Sequence, residues 1–326
     1  MSELLSLTHV SKTFNLRTRA PGRRHTTIPA VSDLSLVVQR GEVLGLVGES
    51  GCGKSTLGKL AAGLIPADSG TIHFNGTDIT RISARRMRPL RRGMQMVFQD
   101  PFSSLNPRMR VRDILAEPFI IHNLAPENMR TQIERNLLEV GLKPADAQRY
   151  PHEFSGGQRQ RIGIARALSL RPELIIADEP VSALDLSVQA QIVALLQELK
   201  REYSLTYVFI SHDLSVVRQI CTRVAVMYLG RIIEVGSTAH IFSTPLHPYT
   251  EMLLQALPIA DPRRRKAYTP SGDIPSASAI PPGCSFHSRC PYAQPRCKTQ
   301  LPELAESADA RQVACLRHAE LQLKGI

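Results

Sequence analysis

The chain has 326 residues, 43% hydrophobic and 21% charged, ordinary values for a folded soluble protein and enough for one large domain plus a smaller one. Lys and Arg number 40 against 29 Asp and Glu, a net charge of +11, yet aromatics make up only 5%. No base-stacking platform accompanies the basic clusters at 17–24, 85–92 and 263–266, so they read as solvated faces and no nucleic acid is expected as a partner. No stretch approaches the ~20 apolar residues that cross a bilayer, and the N-terminus shows no basic region leading into an apolar one. The chain is therefore expected in the cytosol, where it can reach a membrane by docking to a partner.

Residues 4–10 alternate enough to predict a strand, and 15–29, rich in Arg, Pro and Thr, read as a loop. Residues 31–38 alternate apolar and polar as a half-buried strand does. After a turn at Gly41-Glu42, residues 43–47 form a continuous apolar run, the pattern of a strand buried on both faces. Gly48-Glu49-Ser50-Gly51-Cys52-Gly53-Lys54-Ser55 follows, a full match to G-x-x-x-x-G-K-[ST], with Thr56 leading into a helix predicted over 55–64. Strand, glycine loop and helix are the context this motif needs. The glycines let backbone N–H groups approach phosphates, and the helix N-terminus adds its dipole. Lys54 is placed to reach the β- and γ-phosphates of ATP, and Ser55 to ligate Mg²⁺.

Helical spacing dominates from about 106 to 168, with helices predicted over 111–119, 129–140 and from behind Ser155 to 167. Ser155-Gly156-Gly157-Gln158 opens the last of these. A serine hydroxyl and glycine N–H groups at a helix start form an anion site. The apolar run 174–177 predicts a second buried strand, ending in Asp178-Glu179. A carboxylate at a buried strand end is costly unless it meets a cation, which assigns Asp178 to Mg²⁺. Glu179 projects differently and suits polarising a water as general base. A helix over 186–203, a third buried strand over 206–210 ending at Ser211-His212-Asp213, a helix over 214–221 and strands over 223–228 and 231–235 complete a mixed α/β core.

Composition changes near 240, where the chain becomes rich in proline and a domain boundary is placed. Six cysteines occur; Cys52 lies in the glycine loop and Cys221 in an apolar stretch, while Cys284, Cys290, Cys297 and Cys315 cluster in the tail. Structural disulfides are not expected in the cytosol. No tight C-x₂₋₄-C pair signals zinc. Four thiolates also suit a [4Fe–4S] cluster, so cluster, zinc and no metal all stand, with His287 and His318 as substitute ligands.

The motifs and their order resemble the ATPase subunit of an ABC transporter over nearly the whole chain. The resemblance implies an α/β fold: an ABC-type P-loop ATPase core over 1–240, a helical subdomain at about 100–168, and a small proline- and cysteine-rich C-terminal domain over 241–326. It implies further roles. Gln99 resembles the Q-loop glutamine that touches Mg²⁺ or the water, Asp185 the D-loop residue that communicates across a dimer, and His212 the switch histidine at the γ-phosphate. Phe14 resembles the aromatic that stacks on adenine. Two such ATPases are expected to face each other head to tail, Ser155–Gln158 of one closing on the phosphate held by the other. Phe154 stands where the family usually has leucine, which leaves the anion-binding residues intact.

His247-Pro248-Tyr249-Thr250 and Gln99-Asp100-Pro101 resemble the dipeptide and oligopeptide importers, whose cysteine-bearing tails put the cluster ahead of zinc. The resemblance thus implies an ATP-hydrolysing importer subunit on the cytoplasmic face of the inner membrane. Its expected partners are a second ATPase, two permeases and an extracytoplasmic solute-binding protein. The alternative is a soluble ABC ATPase acting on ribosomes or nucleic acid.

Overall fold

The structure, a computed structural model, describes residues 2–16, 26–100, 104–124, 127–257, 275–276, 278–309 and 311–326. The basic clusters at 17–24 and 263–266 lie outside them.

The chain opens with a long hairpin, β1 (Glu3–Leu16) against β2 (Thr26–Gln39). Residues 26–29 are strand, not the loop expected from composition, because they pair with the far end of β1, Phe14 opposite Ile28. Cross-strand pairing outweighs their weak local preference. Strand β3 (Val43–Val47) leads through the glycine loop into α1 (Lys54–Ala61). Then β4 (Ser69–Phe74) and β5 (Thr77–Asp78) form a second hairpin beside β1. Its turn, Asn75-Gly76, has positive φ at both residues (49° and 74°), as a type I′ turn requires.

The basic cluster at 85–92 lies on helix α2 (Ala84–Gly93), where only Met87 is buried; Arg85, Arg86, Arg88 and Arg91 are exposed, while Arg92 is half-buried and donates to the His122 carbonyl. Strand β6 (Met94–Val97) carries the chain to Gln99. A helical stretch follows, with α3 (Val111–Ile121), α4 (Met129–Glu139) and α5 (Gly156–Leu168). The core then alternates β7 (Leu174–Asp178), α6 (Leu186–Tyr203), β8 (Thr206–Ser211), α7 (Leu214–Ile220), β9 (Arg223–Tyr228) and β10 (Arg231–Ser237).

The strands form two sheets. One is antiparallel, ordered β2-β1-β4-β5. In the other, β9-β3-β8-β7-β6 run parallel and β10 is antiparallel at one side. Strands β3 and β7 are buried at every position, as parallel strands covered on both faces are. They place the glycine loop and the Asp178-Glu179 pair side by side at their C-terminal ends, where open α/β sheets gather ligands.

The tail docks on this core. Helices α8 (Thr238–Ser243) and α9 (Pro248–Gln255) follow β10, and the two-residue strands β11 (Ala305–Glu306) and β12 (Gln312–Val313) extend the parallel sheet beyond it. Tyr249, Met252, Leu254, Phe286 and Ala314 join the same apolar cluster as Val43, Ile175 and Phe209. The tail thus shares the hydrophobic core of the parallel sheet.

Candidate functional site

The glycine loop wraps a cavity of about 710 Å³ whose walls include Lys54, Ser55, Thr56, Gln99, Glu179 and His212. Side-chain space decides two of its glycines. A Cβ on Gly48 (φ 152°) would lie 2.1 Å from the Met227 carbonyl oxygen, and one on Gly53 (φ 109°) 2.1 Å from that of Ala30. Both are backbone atoms that cannot swing away, so no other residue fits.

Lys54 is 5% exposed, and its Nζ donates to the carbonyls of Gly48 (2.7 Å) and Glu49 (3.0 Å). The cation rests folded against its own loop. Ser55 Oγ donates to Asp178 Oδ1 at 2.9 Å. Burial pushes the Asp178 carboxyl above its ordinary range, and the Ser55 hydroxyl pulls it partly back. A buried carboxylate beside a hydroxyl, with Lys54 close by, fits the oxygen-rich donor set Mg²⁺ takes.

Glu179 follows directly and stands with φ 47°, a left-handed conformation rare outside glycine. Its N–H donates to the Ile210 carbonyl at 2.9 Å. Gln99 Nε2 donates to Glu179 Oε2 at 2.8 Å, and His212 Nδ1 lies 3.2 Å from Oε1. Strained backbone held by surrounding structure is common at functional sites.

The remaining expected residues stand apart from this cavity. Ser155 and Gln158 cap helix α5 reciprocally: Ser155 Oγ accepts from the Gln158 N–H (3.4 Å) and Gln158 Oε1 from the Ser155 N–H (3.1 Å). Gly157 is buried, and a Cβ there would meet Val188 at 2.4 Å. None of residues 155–158 lines the wall of the chain's own phosphate cavity. Asp185 caps helix α6, accepting from Ser187 Oγ (2.7 Å) and the Val188 N–H (3.0 Å); chiefly the Ser187 bond holds its carboxyl below the usual range. Phe14 is 42% exposed on the hairpin, with Lys12 Nζ 5.8 Å from its ring centroid. Its pairing partner Ile28 lines the cavity, but Phe14 itself does not.

The tail cysteines come together in space. Cys284, Cys290, Cys297 and Cys315 line one small pocket of about 20 Å³, and none is in a disulfide. Yet among the described residues no three His, Cys, Asp or Glu side chains are grouped as a metal-binding set. Burial raises the Cys284, Cys290 and Cys315 thiols, to about 12 for Cys290 and about 11 for Cys315. His287 Nδ1 and His318 Nδ1 turn to the backbone carbonyls of Cys284 and Cys315, both at 2.9 Å.

Two tail residues that touch the glycine loop escaped the sequence reading. Arg289 forms a bidentate pair with Glu49, and the Tyr249 hydroxyl accepts the Glu49 N–H. Spacing carries no signal for a contact between residues 240 positions apart. Among the described residues no helix is long and apolar enough to cross a membrane.

Comparison with known proteins agrees with this geometry. Residues 31–182 match the family described as ABC transporter, and 233–297 the one described as oligopeptide/dipeptide transporter, C-terminal region. The chain is 51% identical to the oligopeptide transport ATP-binding protein AppF of Bacillus subtilis (strain 168), over 96% of each chain. It is 52% identical to the probable peptide ABC transporter ATP-binding protein y4tS of Sinorhizobium fredii (strain NBRC 101917 / NGR234), over 89% of this chain and 84% of that one. Among solved structures, a dimeric post-hydrolysis state of the ATP-binding cassette MJ0796 bound to ADP and Pi superposes with a TM-score of 0.64 at 27% identity, over 72% of this chain and 99% of the other. Clostridium perfringens cbiO1, part of the ABC transporter complex cbiONQ, gives 0.63 at 28% identity, over 74% and 91%.

Proposed function

Because the chain belongs to the ABC transporter ATP-binding family, we propose that it is the ATP-hydrolysing subunit of an importer for di- or oligopeptides or similar solutes. One juxtaposition carries the ATPase part. Gln99 and His212 meet at Glu179, beside the Ser55–Asp178 pair and at the mouth of the glycine loop. The match of residues 233–297 to the oligopeptide/dipeptide transporter C-terminal region supports the substrate class. The alternative, a soluble ATPase acting on ribosomes or nucleic acid, is less well supported, since relatives similar over nearly the whole chain carry transport names.

In this reading the loop's N–H groups and the N-terminus of α1 bind the triphosphate, and Lys54 leaves its two carbonyls for the β- and γ-phosphates. Ser55 and Asp178, with Gln99, would hold Mg²⁺, which when bound would supply charge neutralisation for the phosphates. Glu179 polarises the attacking water, with Gln99 and His212 fixing its two carboxylate oxygens. The chemistry is positioning and charge stabilisation, with no covalent enzyme intermediate.

The site is completed by a second ATPase. Ser155–Gln158 and Asp185 lie outside the chain's own cavity, which supports their action across a head-to-tail dimer. Phe14, on the strand next to Ile28, contributes adenine stacking. Two membrane permeases dock near Gln99 and the helical subdomain, where Ile120, Ile121 and Leu138 are exposed. A solute-binding protein feeds them from outside, and the chain sits on the cytoplasmic face of the inner membrane. We keep the division at 1–240 and 241–326 as the domain assignment. The four tail thiols, all free and facing one pocket, are proposed as the ligands of a [4Fe–4S] cluster, with zinc second. No step of hydrolysis passes through them.

Affinity purification of the tagged chain from gently solubilised native cells tests the reading. Two polytopic permeases and a second ATPase should co-purify. Ribosomal proteins or nucleic acid surviving a salt wash, with no membrane protein, would overturn it.

A further inference from the structure

Arg289 immediately precedes Cys290 in the tail, yet its guanidinium reaches the phosphate loop. Nη1 and Nη2 donate to Glu49 Oε2 and Oε1 over 2.7 and 2.8 Å. This is a fork-on-fork pair, the strongest geometry an ion pair offers. The Arg289 side chain is 3% exposed and that of Glu49 22%, so the pair is shielded from solvent screening. The rings of Tyr228 and Phe286 flank the guanidinium, with centroids 5.9 and 5.8 Å away. A second tail residue reaches the same place: Tyr249 Oη accepts the Glu49 N–H at 2.8 Å. The Glu49 carbonyl, in turn, accepts from Lys54 Nζ at 3.0 Å.

Every polar group of Glu49 is therefore engaged, two by the tail and one by the phosphate-binding lysine. The loop around it holds three glycines, Gly48, Gly51 and Gly53, within six residues. A glycine-rich segment loses more conformational freedom on ordering than any other. Fixing one residue of it in advance lowers the ordering cost that nucleotide binding must meet.

We propose that Arg289, assisted by Tyr249, is a positioning residue for ATP binding: through Glu49 it holds the phosphate loop and the resting place of Lys54 in the shape that receives the triphosphate. This rests on residues 48–55 being the ATP loop. The tail is then part of the nucleotide site, acting from behind the loop. Loss of Arg289 would also leave the Glu49 carboxylate unpaired beside a site that must accept a polyanion.

The test measures binding of a fluorescent ATP analogue to the full-length chain, together with kcat and KM, for wild type, Arg289→Met, Arg289→Lys, Glu49→Gln and the double variant Glu49→Gln/Arg289→Met. Arg289→Met should weaken nucleotide binding about tenfold, a change of about 1.4 kcal/mol. KM should rise in step while kcat stays within about twofold, since Glu179, Gln99 and His212 are untouched. Arg289→Lys, which keeps the charge and loses the fork, should fall between. The double variant should bind no more weakly than Arg289→Met alone. Unchanged affinity in Arg289→Met, a fall in kcat at constant KM, or a double variant whose loss is the product of the single losses would each overturn the proposal. Should Arg289→Met fail to fold, Tyr249→Phe removes a single hydroxyl from the same anchor. It should weaken binding about threefold, the effect of one hydrogen bond, and unchanged affinity there would overturn the proposal too. A wild-type chain that bound no nucleotide would instead strike at the ATPase reading itself.

Discussion

Gln99 Nε2 and Glu179 Oε2 lie 2.8 Å apart although 80 positions separate them in the chain. Gln99 follows β6 and Glu179 follows β7, and these strands are parallel neighbours. The sheet therefore places an amide from the edge of the helical subdomain directly on the carboxylate assigned as base. Glu179→Gln removes the base and keeps the shape. Turnover should fall by about 10²–10⁴ with ATP affinity nearly unchanged. Phosphate release and nucleotide binding measured on the same preparation check this, and a Gln variant that still hydrolyses at the wild-type rate removes Glu179 from the role. His212→Ala should lower kcat about tenfold or more, through the other carboxylate oxygen.

Gly48→Ala should abolish nucleotide binding. The new methyl carbon meets the Met227 carbonyl oxygen at 2.1 Å, so the loop or the end of β9 must move. The cost in stability should be about 1–3 kcal/mol. Calorimetric titration with ATP and a urea melt read the two effects separately. Wild-type affinity in this variant would mean that the loop binds in a different shape.

The seat of the tail should make stability depend on pH. His247 is fully buried, its Nδ1 accepts the Tyr249 N–H at 3.0 Å, and burial holds it down at about 3. The unfolded chain takes up that proton below about 6.5 while the native chain does not, so stability is lost as pH falls from about 6.5 toward 3. Glu234 works the other way. Its carboxylate accepts the Leu246 and His247 N–H groups, and burial raises it to about 6, so its share is lost as pH rises toward 6. Between about 4.5 and 6 the two proton uptakes nearly offset, and the histidine alone sets the slope above and below that window. His247→Asn keeps an acceptor for Tyr249 and removes the titration. The stability gap between wild type and this variant should shrink as pH falls from 7 to 5, in thermal melts; a gap constant with pH would exclude His247 as the cause.

Anaerobic purification should yield chain carrying about four iron and four sulfide, lost in Cys290→Ser together with part of the tail's thermal stability. One zinc per chain, or no metal at all, would end the cluster assignment.

Much of this site was legible because its chemistry is local. The glycine loop, the capped start of α5 and the strand ending in Asp178-Glu179 each declare themselves within ten residues. Gln99 and His212, far apart in sequence, meet at the Glu179 carboxylate. The Asn75-Gly76 pair beside an apolar strand is an equally local signal, that of a hairpin turn. What could not be read depends on distant partners. Residues 26–29 become strand only because β1 lies alongside. Strands β11 and β12 are two residues long and carry no period, and they exist because β10 offers an open edge. The four thiols share one pocket, which their wide spacing in the sequence does not announce.

The span between Glu49 and Arg289 has a consequence for synthesis. Ribosomes add about 5–20 residues per second, so Arg289 emerges on the order of 10–50 s after the glutamate it clasps. The parallel strands and the helical subdomain are already made by then, and the sheet still waits for Gln312–Val313 to join its edge. A nascent chain thus carries its phosphate loop unclasped until the tail is made, and synthesis of the tail becomes the event that commits the loop to its final form.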